Sequence, residues 1–454
     1  MPDPQPGVSR RTALWFTAGS VIALPLGLAG CGSDSSDAVK LTYKQFGSGT
    51  IMGDFLRGVV NEYSASGSGS AVDLIPLVAS ENDYYTKTEL MMSSGRTSPD
   101  LVYEDTFILR SDVAAGYLRP IDDYLATWPD WKLYYPTTQD AVKYTDGKHY
   151  GVPLSTDTRA IWFNRKLLAK AGLPETWQPK TWDDILTAAR AIKQKLPGVI
   201  PINIWSSKAM GEATSMQGFE MLLYGTDSTL YDESRGKWVT GSKGFVDALQ
   251  FMRTVSAEKL GLQLSDALDP NMGDRLYNVL WPNEKIAMAV DGSWIPGAWI
   301  GGSWPDWSKS MSVAKMPTQH GAAPGLVTMS GGFCWAIPKH AQHPDKAFDF
   351  VRTMCNRKNN TDYCIKDSQI AVRSDTAAEP TYQKSTPTTK FMTDLVKSTT
   401  YRPALAPYPQ ISNAIQIACE AMLIGSKTPA AAAATYDSML IDIVGRDQTM
   451  KAGA

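Results

Sequence analysis

Between Val39 and Leu125 the hydrophobic pattern alternates between a period of two and a period of 3.6, and this alternation restricts the fold more than any other feature of the chain. Val39, Leu41 and Tyr43 alternate with polar residues, as a half-buried strand does. After the turn Gly47-Ser48-Gly49, the stretch from Asp54 to Ala65 places Phe55, Val59, Val60 and Tyr63 at helical spacing, and the Ser/Gly run from Ser64 to Ser70 breaks it. Val72 to Val78 reads as a strand and Asn82 to Ser94 as a helix stopping at Gly95. Pro99 to Tyr103 reads as a third short strand and Ser111 to Leu125 as a further helix. That order predicts a mainly parallel sheet with helices on both faces. Ligands of such sheets bind outside the carboxyl ends of the strands, which here are Gln45–Gly49, Ala79–Asn82 and Glu104–Thr106.

The pattern changes at Gly151-Val152-Pro153-Leu154. Beyond it, strands are expected at Ala160–Phe163, Ile200–Trp205, Ile286–Val290, Met311–Met316 and Gly332–Ile337. Helices are expected at Asn164–Ala171, Trp182–Lys195, Lys243–Glu258, Asp345–Cys355, Lys390–Val396, Ile411–Ile424 and Ala430–Ile443. There is no internal repeat, and 454 residues suggest two to three domains.

The first thirty residues carry an export signal rather than a fold. Arg10 and Arg11 precede an apolar run of 18 residues from Ala13 to Gly30, interrupted by Gly19, Pro25 and Gly27. A charged start, a short apolar stretch and small residues before a cut describe a secretory signal rather than a spanning helix. Leu28-Ala29-Gly30-Cys31 resembles the bacterial lipobox, which implies diacylglycerol and palmitate on Cys31, and the twin arginines resemble a Tat signal. Residues 31–37 then form a polar lipidated tether. The mature chain is expected outside the cytoplasmic membrane, anchored to its outer face, where disulfides are permitted. Cys355 and Cys364 are close enough in sequence to pair, whereas Cys334 and Cys419 lie in apolar patterns expected to bury free thiols.

Lys and Arg total 44 against 46 Asp and Glu, so no basic face argues for nucleic acid. Four His and no CxxC leave little material for a metal centre, and neither a metal nor a cofactor is expected. The chain lacks HExxH, GK[ST], GxGxxG and GxSxG motifs. Two carboxylates could serve a glycosidase. However, Glu104 and Asp105 are adjacent on a strand and so point to opposite faces, which leaves only pairings with a distant carboxylate such as Asp157 or Asp291.

The strand ends combine aromatic rings with carboxylates and an arginine: Tyr84, Tyr85, Glu104, Asp105, Thr156, Asp157, Trp205, Asp291, Trp294, Phe333 and Arg402. Sugars present apolar C–H faces and hydroxyl edges, so rings stack on the faces while charged and amide groups bind the edges.

Several segments, in this order and spacing, resemble family 1 of the bacterial extracellular solute-binding proteins. They are the lipobox at Cys31, Ser98-Pro99-Asp100-Leu101-Val102, and Gly151-Val152-Pro153 leading to Trp162-Phe163-Asn164-Arg165-Lys166. Ala171-Gly172-Leu173-Pro174, Thr181-Trp182-Asp183-Asp184, Ala287-Met288-Ala289-Val290-Asp291-Gly292-Ser293-Trp294 and Gly331-Gly332 complete the set. These are the sugar-importer lipoproteins of maltose-, trehalose- and oligosaccharide-binding type, and the likeness is greatest to actinobacterial members.

The resemblance implies a periplasmic-binding-protein-like α/β fold, with two lobes joined by a hinge and the ligand between them. Crossings are expected near Gly151–Asp157, Ser308–Val313 and Ile370–Thr376. Lobe one would then be 38–154 plus 312–374 and lobe two 155–311 plus 375–454. Hinge closure captures a di- or oligosaccharide and presents it to a membrane permease driven by a separate ATPase; the chain itself is a monomer that performs no chemistry. The resemblance assigns Trp294 to ring stacking and Asp105 to sugar hydroxyls. It puts Thr156 and Asp157 on the first crossing, Gly332 and Phe333 at a backbone-plus-aromatic position, and Arg402 at a C-terminal ligand contact. Gln45 and Ser48 are expected at the cleft, although their loop lacks the acidic pair of maltose-type sites. Two alternatives stay open: a binding protein for a polyol, amino sugar or glycerol phosphodiester, and a surface-anchored carbohydrate-active enzyme.

Overall fold

The computed structural model describes residues 37–453 except Gly47 and Ser68. The expected export signal, the twin arginines, Cys31 and most of the expected tether lie outside the described residues.

The first sheet begins as the alternation requires. Strand β1 (Val39–Gln45) buries Val39, Leu41 and Tyr43 on one face. Helix α1 (Ile51–Ala65) packs Phe55, Leu56 and Val59 into the same core. Strand β2 (Val72–Val78) pairs in parallel with β1 from Val39↔Val72 to Gln45↔Val78. Pro76 is tolerated there because β2 is the edge strand. Helix α2 (Glu81–Met92) starts at Ser80, whose hydroxyl accepts from the Asp83 N–H. It delivers the chain to β3 (Leu101–Asp105), on the other side of β1. The single helix expected over Ser111–Leu125 is two short ones, Leu109–Ala114 and Asp122–Ala126. Gly116 at φ 76° ends the first, and Pro120 supplies no N–H to continue it.

Strand β4 (Gly151–Pro153) leaves this sheet, and β5 (Arg159–Asn164) enters the second. Helix α3 (Trp182–Lys195) opens with a capping box between Thr181 and Asp184, and Ile185, Ala189 and Ile192 face inward. Strands β6 (Ile200–Asn203), β7 (Ile286–Gly292) and β8 (Met311–Ala314) complete a sheet of order β8-β5-β7-β6. Strand β9 (Phe333–Ala336) then returns to the first sheet, whose order is β2-β1-β3-β9-β4.

The expected mainly parallel arrangement holds for β2, β1 and β3 in the first sheet and, in the second, for β6 beside β7. Strand β9 runs antiparallel to both β3 and β4, and β5 runs antiparallel to both β7 and β8. The physical reason is the hinge. The chain leaves along β4 and re-enters at β9 from the same end, so no helical crossover separates them.

Two boundaries differ from expectation. Met311–Ala314 pairs with β5 in the second sheet, so the return crossing lies at Gly331–Gly332 rather than Ser308–Val313. Residues Ser374–Gln383 still pack on the first lobe beside helix α5 (Arg357–Lys366), which follows helix α4 (Pro344–Met354). Helix α5, rich in Asn and charge, is absent from the sequence expectation, and so is the helical run Ala213–Leu223. The chain ends in two packed helices, α6 (Tyr408–Ile424) and α7 (Pro429–Val444).

The first lobe's core centres on Val152, Trp335 and Phe348. The second lobe's core includes Trp162, Trp281, Trp299 and Trp307, with Trp162 and Trp299 centroids 6.0 Å apart. Much of the tryptophan content is therefore structural, each ring worth about 2–3 kcal/mol when buried. Cys334, Cys355, Cys364 and Cys419 are all buried free thiols, so Cys355 and Cys364 do not pair. No helix among the described residues is long and apolar enough to cross a membrane.

Candidate functional site

The two sheets meet along a seam crossed by the hinge strands. Thr156 and Ile370 lie on adjacent crossings and exchange two backbone hydrogen bonds of 2.9 Å. Thr156 Oγ1 donates to the Gly331 carbonyl at 2.9 Å, so this hydroxyl braces the hinge. Gly332 adopts φ 137°, and a Cβ there would stand 2.4 Å from the Ser155 carbonyl oxygen. Only glycine lets the two crossings approach this closely. The Gly332 carbonyl accepts from the N–H and hydroxyl of Thr106, both at 3.1 Å.

Asp157, one residue into the second lobe, accepts from the Gly331 N–H at 2.8 Å and from Arg159 Nη1. Arg159 reaches the Met329 carbonyl at 3.1 Å, and its guanidinium lies 5.0 Å from the Trp294 ring. The Trp294 indole rests on Gly292, where a Cβ would clash at 1.9 Å. The ring stays half-exposed at the end of β7. On the first lobe's side, half-buried Phe333 stacks on Tyr103 at 4.5 Å and meets exposed Phe46 edge-on at 5.8 Å.

Asp105, at the carboxyl end of β3, turns into the seam. Its Oδ1 accepts from the Phe107 N–H at 3.1 Å and from Arg402 Nη2 at 2.9 Å, and its Oδ2 from the Tyr85 hydroxyl at 3.2 Å. Burial pushes its pKa up, and Arg402 opposes that rise. Arg402 Nη1 binds Glu212 Oε2 at 2.9 Å. Burial works against the Arg402 charge, but Asp105 and Glu212 hold it protonated. The half-buried Gln45 ends β1, and exposed Ser48 Oγ donates to Asp274 Oδ1 at 2.8 Å.

Four expected site residues lie elsewhere. Glu104 faces the opposite side of β3, where it interacts with Asp112. Burial and the Asp112 charge raise Glu104 well above the ordinary carboxyl range, and burial takes Asp112 to about 8. Tyr84 is a core residue whose hydroxyl donates to the Tyr103 carbonyl at 2.6 Å. Trp205 is buried and donates its Nε1–H to Asp291 Oδ2 at 3.4 Å. Asp291 is fully buried, takes the Tyr277 hydroxyl at 2.9 Å and the Gly292 N–H at 2.8 Å, and is raised to about 6 by burial. It fixes the turn that carries Trp294 from behind.

Sequence reasoning missed Glu212, Arg159, Tyr277 and Phe46. Phe46 alone had a signal, because it lies within the strand end expected at Gln45–Gly49. Glu212 begins an unpredicted helical run, and nothing in its neighbourhood marks it as buried. Among the described residues no group of three or more His, Cys, Asp or Glu side chains could hold a metal ion.

A two-lobed α/β body with rings and charged groups along an interlobe seam is the architecture of a solute receptor. The sequence matches the family model for bacterial extracellular solute-binding proteins over residues 47–361, and the chain belongs to that family. A binding protein of Brucella abortus is 27% identical over 178 residues, 39% of this chain and 41% of the relative. The carbohydrate ABC transporter substrate-binding protein of Streptococcus pneumoniae is 28% identical over 203 residues, 42% of this chain and 40% of the relative. The matches thus span about two fifths of these curated relatives. The fold is similar to that of a Thermotoga lettingae ABC transporter solute-binding protein solved with α-D-tagatose (TM-score 0.77, 22% identity, 89% of this chain and 100% of that one). It is also similar to the GacH receptor of Streptomyces glaucescens, solved unliganded and with acarbose (TM-score 0.76, 20% identity, 90% and 99% covered).

Proposed function

We propose that the chain is the carbohydrate-capturing subunit of an ABC importer, taking a di- or oligosaccharide into the seam by hinge closure and delivering it to a membrane permease with its own ATPase. The observation that carries this reading is the half-exposed Trp294 indole at the end of β7, held between Gly292 and Arg159 beside the hinge carboxylate Asp157. A sugar ring stacks on such an indole while the adjacent charged groups take its hydroxyls. The relatives that bind tagatose, acarbose and other carbohydrates support the same ligand class. Attachment through a lipid on Cys31, an extracytoplasmic location and a monomeric state complete the proposal. The chain binds and hands over; it catalyses nothing.

A phosphodiester ligand is disfavoured because the seam's two buried arginines are already neutralised, Arg402 by Asp105 and Glu212 and Arg159 by Asp157. The test is a thermal-shift screen against disaccharides, oligosaccharides, polyols and glycerol phosphates. A ligand at 100 times its Kd stabilises the fold by about 2.7 kcal/mol. A shift with one carbohydrate class, lost in Trp294→Ala, supports the receptor. Consumption of glycans without any shift favours a surface enzyme instead.

A further inference from the structure

The seam is closed by one buried ion pair between the lobes among the described residues. Arg402 of the second lobe meets Asp105 of the first at 2.9 Å, with each side chain 5% exposed. No other polar contact across the seam among the described residues is a buried ion pair: Asn82 Nδ2 reaches Gln416 Oε1 at 3.5 Å, the half-buried Arg110 Nη1 donates to the uncharged Ala404 carbonyl at 3.0 Å, and exposed Ser48 donates to Asp274.

Arg402 does not hang free on its own lobe. Glu212 Oε2 holds its second nitrogen, and Glu212 Oε1 accepts from the Ser412 and Ser215 hydroxyls. Gln416 Nε2 donates in turn to Ser412 at 3.1 Å and Ser215 at 3.4 Å. Glu212 is thereby tied to α6 and to the run Ala213–Glu220, both in the second lobe's core. The guanidinium also lies 4.4 Å from the ring of Phe107, a first-lobe residue that packs edge-on against Tyr408 at 5.8 Å. The arginine is therefore aimed across the seam before it meets Asp105.

Asp105 has little left for a ligand. Oδ1 carries two hydrogen bonds and Oδ2 one, which leaves a single open acceptor position. We propose that Glu212 is a positioning residue that aims Arg402, and that the Arg402–Asp105 pair is a closure latch. It draws the lobes together without ligand, so Asp105 and Arg402 act mainly in closure rather than in sugar recognition. This rests on the reading of the seam as the ligand cleft. Charge-assisted bonds that form only in the closed state shift the population towards it.

The experiment reads the interlobe distance of the ligand-free full chain from a pair of spin labels on the exposed positions Asp73→Cys and Glu233→Cys. The wild-type background is expected to give mainly the short, closed distance. Glu212→Gln and Asp105→Asn shift the population to longer distances, and Arg402→Lys, which keeps the charge, shifts it less. A merely structural role would lower thermal stability and leave the distance distribution unchanged. Asp105→Asn, nearly isosteric, decides the matter should Glu212→Gln fail to fold. A wild type as open as the variants, or variants as closed as the wild type, overturns the latch. Because no ligand enters the measurement, its failure leaves the carbohydrate reading untouched.

Discussion

The Arg159 guanidinium lies 5.0 Å from the Trp294 ring and at the same time binds Asp157, so one residue couples the hinge carboxylate to the seam's half-exposed indole. Ring orientation and hinge geometry are set together, and ligand affinity should respond to both.

Replacing the indole removes the stacking surface. Trp294→Ala is expected to weaken the best carbohydrate ligand by about 10–100-fold, and Trp294→Phe by less, since a smaller ring still stacks. Isothermal titration calorimetry checks this, and unchanged affinity in Trp294→Ala removes the indole from the site.

Gly332 is held at φ 137° with the Ser155 carbonyl oxygen 2.4 Å from where a Cβ would sit. Gly332→Ala is expected to cost about 1–3 kcal/mol or more of folding stability, because strain and overlap add. Urea unfolding gives the value. A cost near zero would mean that the crossings can part without penalty.

The Glu104–Asp112 pair makes a signed pH prediction. Asp112 titrates at about 8 in the folded chain, against its ordinary 3.8. Between those values the folded state keeps a proton that the unfolded state releases. The contribution is complete below the unfolded pKa and is lost as pH rises to about 8, at about 1 kcal/mol per pH unit for one group. Glu220, raised to about 8 by burial, works in the same direction. Melting temperatures from pH 5 to 9 should fall, and the fall should be shallower in Asp112→Asn. An equal slope in that variant contradicts the raised Asp112 carboxyl.

Lys44 is buried at the carboxyl end of β1, with its ammonium 4.7 Å from the Phe46 ring and no ion pair or hydrogen bond among the described residues. Burial pulls its pKa down. Lys44→Met keeps the chain length and removes the desolvated charge, so the ligand-free protein should gain about 1 kcal/mol or more in urea unfolding. A loss of stability would mean that the cation–π contact outweighs desolvation.

How much of this was legible in the sequence differs from residue to residue. The capping box at Thr181 and Asp184 and the inward positions of Trp182–Lys195 follow from spacing alone, because a helix reads its own neighbours. The first three parallel strands follow from the same local logic. The opposite orientations of Glu104 and Asp105 were readable too, since a strand alternates its faces. The antiparallel entry of β9 was not, because it depends on where the chain returns through the hinge rather than on any pattern within Phe333–Ala336.

Site membership divides along the same line. The rings and carboxylates at strand ends were visible as residue types. Whether each faced the seam or the interior was not, and Trp205 and Asp291 went inward to brace each other. The sequence by itself determined most of the local elements and the family. Only the tertiary structure decided which charges meet: Arg402 joins Asp105 across 297 positions and Glu212 across 190. No local pattern encodes such a partner, because the pairing arises only when two separately built lobes exclude water from the surface between them.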